Sequence, residues 1–341
     1  MSLIAQLYSS ADAGAPALSG TAGSLLTLLD AILVDGYGTG PTAKAPLGWT
    51  RTYTATNKRV YRNDPVEGSG TYLRVLDDAS LPGGARMAQL LAFASMSNID
   101  TGVGQTPTAL QHPSGCLWPK SQTADSTARI WWAIGNSRAL YLFIGWYNNG
   151  SFGHGPYFAG DILSDRAGDN GAFMLAGGPS RTTWAGAFTD NLASLFSVGD
   201  HGGSLPANTS AGAGCYLLKS ADGSVSSIQC QNVWPTPNTY GARTTYGHYS
   251  NSRTIPYPDP ISQGIRWCDC LVGEGSLRIR GRMPGAIGIM HPEPWPSLTP
   301  IASLPGYPAG SSFISKSYQT GDYQASGLYG TVAFLLGAPW E

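Results

Sequence analysis

Residues 128–169 constrain the fold more than any other part of the chain, because they hold its densest apolar and aromatic sequence. Two runs, 130–134 and 139–147, are rich in Trp, Tyr, Phe, Leu and Ile and are separated by Gly135-Asn136-Ser137-Arg138. Gly and Asn tolerate the positive φ of a tight reversal, so the pair predicts a β-hairpin. In the second arm Leu140, Leu142, Ile144 and Trp146 fall on one alternating face, and Tyr141, Phe143 and Tyr147 on the other. A strand that is apolar on both faces is one covered on both sides. A buried helix would give a similar short run, but the aromatic and β-branched content and the flanking Gly and Asn favour a strand.

Away from this hairpin the period of the apolar residues changes. Over 22–34, Leu25, Leu28, Leu29, Ile32 and Leu33 recur at helical spacing and Asp35-Gly36 with Gly38 ends the pattern, which predicts one amphipathic helix. Gly36-Tyr37-Gly38-Thr39-Gly40 has the glycines of a phosphate loop. Such a loop follows a strand and opens a helix, whereas this one follows a helix and reads as its stop. Residues 1–20 have no sustained period and are expected to form an arm that docks on a neighbouring subunit.

From Trp49 onward the pattern is that of strands: WTRTYTAT, a turn at Asn57-Lys58, RVYRND, then TYLRVLDD over 71–78. Residues 87–96 fit strand or helix, and 97–125, with Pro107, Pro113 and Pro119, are expected to be an irregular surface excursion. Further strands are expected at 157–163, 172–175, 214–218, 224–229, 265–272, 276–283 and 328–336. The polar, Tyr- and Pro-rich residues 233–260 predict an exposed loop or linker. The expectation is a mainly β chain, with an antiparallel sandwich- or barrel-like body, many long loops and one short N-terminal helix. It divides into 1–44 (arm and helix), 45–232 (main β body), 233–260 (linker) and 261–341 (small C-terminal β unit).

Composition narrows the function classes. Only 12% of residues are charged, about half the usual share, and the formal net charge of -1 provides no global field for nucleic acid or an anionic membrane. The 45 Gly and 24 Pro among 341 residues demand many turns but fall short of the roughly 25–30% that marks a low-complexity chain. Five cysteines, Cys116, Cys215, Cys230, Cys268 and Cys270, are odd in number and mostly far apart, which argues for free thiols rather than a disulfide framework. No Lys or Arg precedes Lys44, and the apolar run over 24–34 is short and carries Asp30. Synthesis and folding in cytosol, without membrane insertion, are therefore expected.

Candidate chemistry is sparse. His112, His154, His201, His248 and His291 make no zinc spacing; His112 and Cys116 flank Pro113 and Gly115, and Cys268-Asp269-Cys270 places one residue between thiols where zinc knuckles use two to four. Asp77-Asp78 and the set Asp161, Asp165 and Asp169 lie in turn-rich sequence, where Asp commonly accepts backbone hydrogen bonds. No nucleophile elbow or phosphate loop is present, so no catalytic residue, metal ligand or cofactor is assigned and the chain is not expected to be an enzyme. The candidates left are contact residues. Trp234, Tyr240, Tyr246, Tyr249 and Tyr257 mix rigid rings with Asn, Thr, Ser and Arg in one loop. Arg278, Arg280 and Arg282 alternate in LRIRGRM, so a regular strand would place all three on one face, opposite Leu277 and Ile279, and ready to meet carboxylates on another subunit or loop.

Several stretches resemble a family of tailed-bacteriophage virion proteins found near the tail genes of siphophages and Mu-like phages. They are YSSADAGAPALSG (8–20), LLDAILVDGYG (28–38), GWTRTYTATNKRVYRN (48–63), YLRVLDD (72–78), YFAGDILSDRAGD (157–169) and LRIRGRMPGAI (277–287). The resemblance implies a structural subunit at the distal tail or baseplate, made in the host cytoplasm and assembled as copies around an axis with other tail proteins. It carries no catalytic motif to transfer. The rival expectation is a receptor- or carbohydrate-binding module of a tail fibre or tail tip, whose Trp and Tyr faces stack on glycans at the cell surface. An envelope-degrading enzyme is a third class without a motif behind it.

Overall fold

The computed structural model describes residues 3–111, 113–145, 154–179, 213–220, 230–233, 258–261, 263–274, 278–289, 298–302, 304, 306–307, 310–319 and 329–340. The fold is mainly β, and every paired strand is antiparallel to its neighbour. A central six-stranded sheet runs in the order Gln6–Ser9, Ile130–Gly135, Ala139–Gly145, His154–Asp161, Phe173–Pro179, Ala213–Leu217. A five-stranded meander, Thr50–Ala55, Lys58–Arg62, Tyr72–Leu76, Met87–Phe93 and Cys116–Pro119, packs on one face of it. On the other face lies a sheet with the order Cys230–Val233, Trp267–Glu274, Arg278–Ile289, Tyr329–Leu336, Ser312–Gln319, Pro300–Ala302, to which Leu163–Ser164 is added beside Arg278–Ile289.

The two-faced apolar arm is the reason for this layering. Leu140, Leu142 and Ile144 sit in the core shared with the five-stranded sheet, while Tyr141 and Phe143 sit in the core shared with the third sheet. All five are buried, and each contributes roughly 1.5–3 kcal/mol by leaving water. Tyr141 packs against Phe158, Phe334 and Trp340 with centroids 4.8, 4.8 and 5.6 Å away, and its hydroxyl donates to the Pro284 carbonyl at 2.9 Å. The hairpin itself is as expected, but its turn works differently. Neither Gly135 nor Asn136 takes a positive φ; instead the Asn136 side-chain oxygen accepts from the backbone N–H of Arg138 and Ala139 at 2.9 and 3.1 Å, an Asx turn.

The predicted helix spans Ser24–Leu29 and widens to π geometry over Asp30–Asp35. Gly36, at φ 76°, stops it, as only a residue without Cβ does readily. Its carbonyls at Ile32 and Leu33 accept from Leu47 and Trp49 N–H at 2.8 and 3.0 Å, and its leucines fill the core between the meander and the central sheet.

Three expectations are corrected. Residues 1–20 do not stand apart as an arm: Gln6–Ser9 is an edge strand of the central sheet, Tyr8 and Leu18 are fully buried, and the Tyr8 hydroxyl donates to Ala45 O at 2.7 Å. Residues 97–125 do not form only a surface excursion, because Cys116–Pro119 returns to pair with Met87–Phe93. There Trp118 is fully buried, stacks on Tyr157 at 5.2 Å and donates to Ala176 O at 3.0 Å. Gly177 permits this approach, since a Cβ on it would lie 2.5 Å from the Cys116 sulfur. The division at 233–260 does not separate two units either. Cys230–Val233, before it, pairs with Trp267–Glu274, after it, and Leu163–Ser164 from the main body joins the same sheet.

Candidate functional site

The arginine trio of the C-terminal part does not share one face. Gly281 faces Val272 and Ile279 faces the next residue, Gly273, so Arg280 is an extra residue in its strand. Such a β-bulge reverses the alternation around it. Ile279 is consequently 36% exposed and Arg280 only 3%, while Arg282 is exposed. For Arg278 the structure gives the backbone pairing with Glu274.

The buried guanidinium finds its carboxylates inside the chain. Arg280 Nε and Nη2 donate to the two oxygens of Asp169 at 2.7 and 2.8 Å, and Nη1 donates to Glu274 Oε2 at 2.5 Å. This forked geometry is the strong form of an Arg–carboxylate pair. Asp169 also accepts from Ser164 Oγ at 2.6 Å and Gly171 N–H at 3.0 Å. Burial pushes the Asp169 carboxyl up, but the hydrogen bonds from Ser164 and Arg280 outweigh it and hold the group below its usual value. The site anchors a connection between sheets: Asp169 lies between Leu163–Ser164, paired in the third sheet, and Phe173–Pro179 of the central sheet, Arg280 and Glu274 belong to the third sheet, and Asp165 N–H donates to Arg280 O at 3.0 Å. Gly281 is needed at the crossing, where a Cβ would come within 2.1 Å of Leu163 O.

The other carboxylates are similarly engaged. Asp77 and Asp78, adjacent in sequence, part company: Asp78 accepts from Asn57 Nδ2 and Ser80 N–H at 2.9 and 2.8 Å at the surface, whereas Asp77 is fully buried against fully buried Lys120. Asp161 is buried too, and its Oδ2 accepts from Ser69 N–H at 2.7 Å and Asn63 Nδ2 at 2.9 Å. Burial pushes its carboxyl up, only partly offset by those hydrogen bonds and by the charge of Arg138. Asp161 and Asp169 therefore serve different joints, and Asp165 is exposed.

Among the described residues no three His, Cys, Asp or Glu side chains converge as metal ligands, and no helix there is long and apolar enough to cross a membrane. Cys116, Cys215, Cys268 and Cys270 are free thiols. Burial pushes Cys268 up to about 12 and raises Cys116 and Cys270 as well, which keeps these groups as unreactive thiols. Trp234, Tyr240, Tyr246, Tyr249 and Tyr257 lie outside the described residues, as do His112, His201, His248 and His291.

Sequence reasoning missed Lys120 and the fate of Arg280. A lysine in a Pro-containing segment gives no sign of burial, and a bulge depends on the partner strand. The one available signal was the low charged fraction, which makes each charge a candidate for an internal role. No protein-family model matches the chain, and a search of curated proteins finds no match.

Proposed function

We propose that the chain is a structural subunit of a bacteriophage virion, placed at the distal tail or baseplate, where it assembles with copies of itself and with other tail proteins. One observation carries this reading: the stretches that resemble phage virion proteins each take part in internal fastening. Within 8–20 and 28–38, Tyr37 OH donates to Asp12 at 2.7 Å. Between 28–38 and 48–63, Arg51 pairs with Asp30 and Asp35 at 3.1 and 2.8 Å, and Tyr61 OH donates to Asp30 at 2.9 Å. Asp77, from 72–78, holds Lys120. The stretches 157–169 and 277–287 meet at Asp169 and Arg280. Polar residues used in this way support a scaffold role in a particle. Gold-labelled antibody against the chain, applied to intact particles and viewed by electron microscopy, tests it. Label at the tail end is expected; label absent from particles would overturn the proposal, and glycan binding by the isolated protein would favour the receptor-binding alternative.

A further inference from the structure

We infer that Lys120 and Asp77 condense to an intramolecular isopeptide bond, a covalent strut across the five-stranded sheet. Asp77 directly follows the strand Tyr72–Leu76 and Lys120 directly follows Cys116–Pro119, and these two strands flank Met87–Phe93. The bond would therefore tie second neighbours together beneath the start of the helix. Both side chains have 0% exposure, with Nζ 2.6 Å from Oδ1 and 2.8 Å from Oδ2. The remaining Nζ hydrogens point to Thr21 O at 2.5 Å and Ser24 Oγ at 2.8 Å. With those two held, loss of the third proton leaves the nitrogen lone pair aimed at the Asp77 carboxyl.

The atoms balance without any co-reactant. Nζ passes the proton it donates to Oδ2 at 2.8 Å onto that oxygen, giving an amine and a carboxylic acid, and the amine attacks Cγ while Oδ1 takes the negative charge. The nitrogen then gives a second proton to the Oδ2 hydroxyl, which Leu25 N–H also contacts at 2.8 Å; the Cγ–Oδ2 bond breaks, Oδ1 re-forms the carbonyl, water leaves and the amide remains. Burial favours the neutral partners, lowering the Lys120 ammonium and raising the Asp77 carboxyl, though the pair's mutual attraction opposes both shifts. Fixed proximity of this kind corresponds to effective concentrations of roughly 10⁵–10⁸ M when the geometry is favourable.

Intact-mass spectrometry of the purified, folded full chain after denaturation tests the inference. The wild type is expected to be lighter than its sequence by one water, and digestion is expected to yield a branched peptide joining the Asp77 and Lys120 segments. Lys120→Arg keeps the cation but is expected to show its full sequence mass. Asp77→Asn is expected to lose ammonia and reach the wild-type product mass. A wild-type chain of full sequence mass after prolonged incubation in the folded state overturns the inference, as does an equal deficit in Lys120→Arg. Should Lys120→Arg fail to fold, presence or absence of the branched peptide in wild type decides the matter.

Discussion

Replacing Arg280 by Met removes the guanidinium while keeping much of the side chain's length. Asp169, 4% exposed, then keeps Ser164 Oγ and Gly171 N–H but loses both guanidinium bonds. Breaking a buried ion pair from one side costs about 3–5 kcal/mol, because the partner is left charged in a site that cannot solvate it. Total stabilities are about 5–15 kcal/mol, so this is a large fraction. Lys58→Met is the matched control: its partner Asp100 is 57% exposed, and an exposed pair contributes about 0–1 kcal/mol. Urea unfolding at neutral pH, followed by tryptophan fluorescence, should show the Arg280 variant with a much lower midpoint and the Lys58 variant close to wild type. The comparison also has a pH signature. Asp169 is held below its usual value in the fold, so its contribution is present above the ordinary carboxylate pKa and is lost as pH falls through the depressed one. The gap between wild type and Arg280→Met should therefore narrow in acid. An Arg280→Met cost within about 0.5 kcal/mol, the range of an ordinary surface change, would refute the reasoning.

Two other substitutions probe the joints between layers. Trp118→Ala removes a fully buried indole together with its stack on Tyr157 and its bond to Ala176 O; thermal or urea unfolding should register a loss of about 3–5 kcal/mol, and a loss below about 1 kcal/mol would mean that this strand does not seal the core. Asp161→Asn tests the carboxyl that burial pushes up. A raised folded pKa contributes stability that is complete below the unfolded value of about 3.9 and disappears as pH rises through the folded one. The Asn variant should therefore gain on wild type as pH rises above the ordinary carboxylate value of about 3.9, and a difference that stays constant as pH rises from there would contradict the assignment.

What sequence made legible was local and periodic. Leu140 and Leu142 against Tyr141 and Phe143 predicted a strand covered on both sides, and the two cores receive those residues as the alternation requires. Leu25, Leu28, Leu29, Ile32 and Leu33 located the helix to within about two residues, the usual uncertainty at helix ends. Pairing between distant segments was hidden. Arg280 looked like one of three exposed arginines because alternation was carried through a position where the strand holds an extra residue. Changing Arg278 and Arg280 to Glu is expected to unfold the chain, since Arg280 already faces two carboxylates. Cys116–Pro119 was concealed by surrounding Pro and Gly, although its residues are all buried. Gln6–Ser9 was too short to show a period before its partner, Ile130–Gly135, was known.

The proposed virion role meets its most direct test in quantitative mass spectrometry of gradient-purified, salt-washed phage particles from cells that make this chain. The account predicts that the chain is present at a fixed ratio to the major tail protein, unchanged by further washing. A chain abundant in infected-cell lysate but absent from washed particles would contradict it.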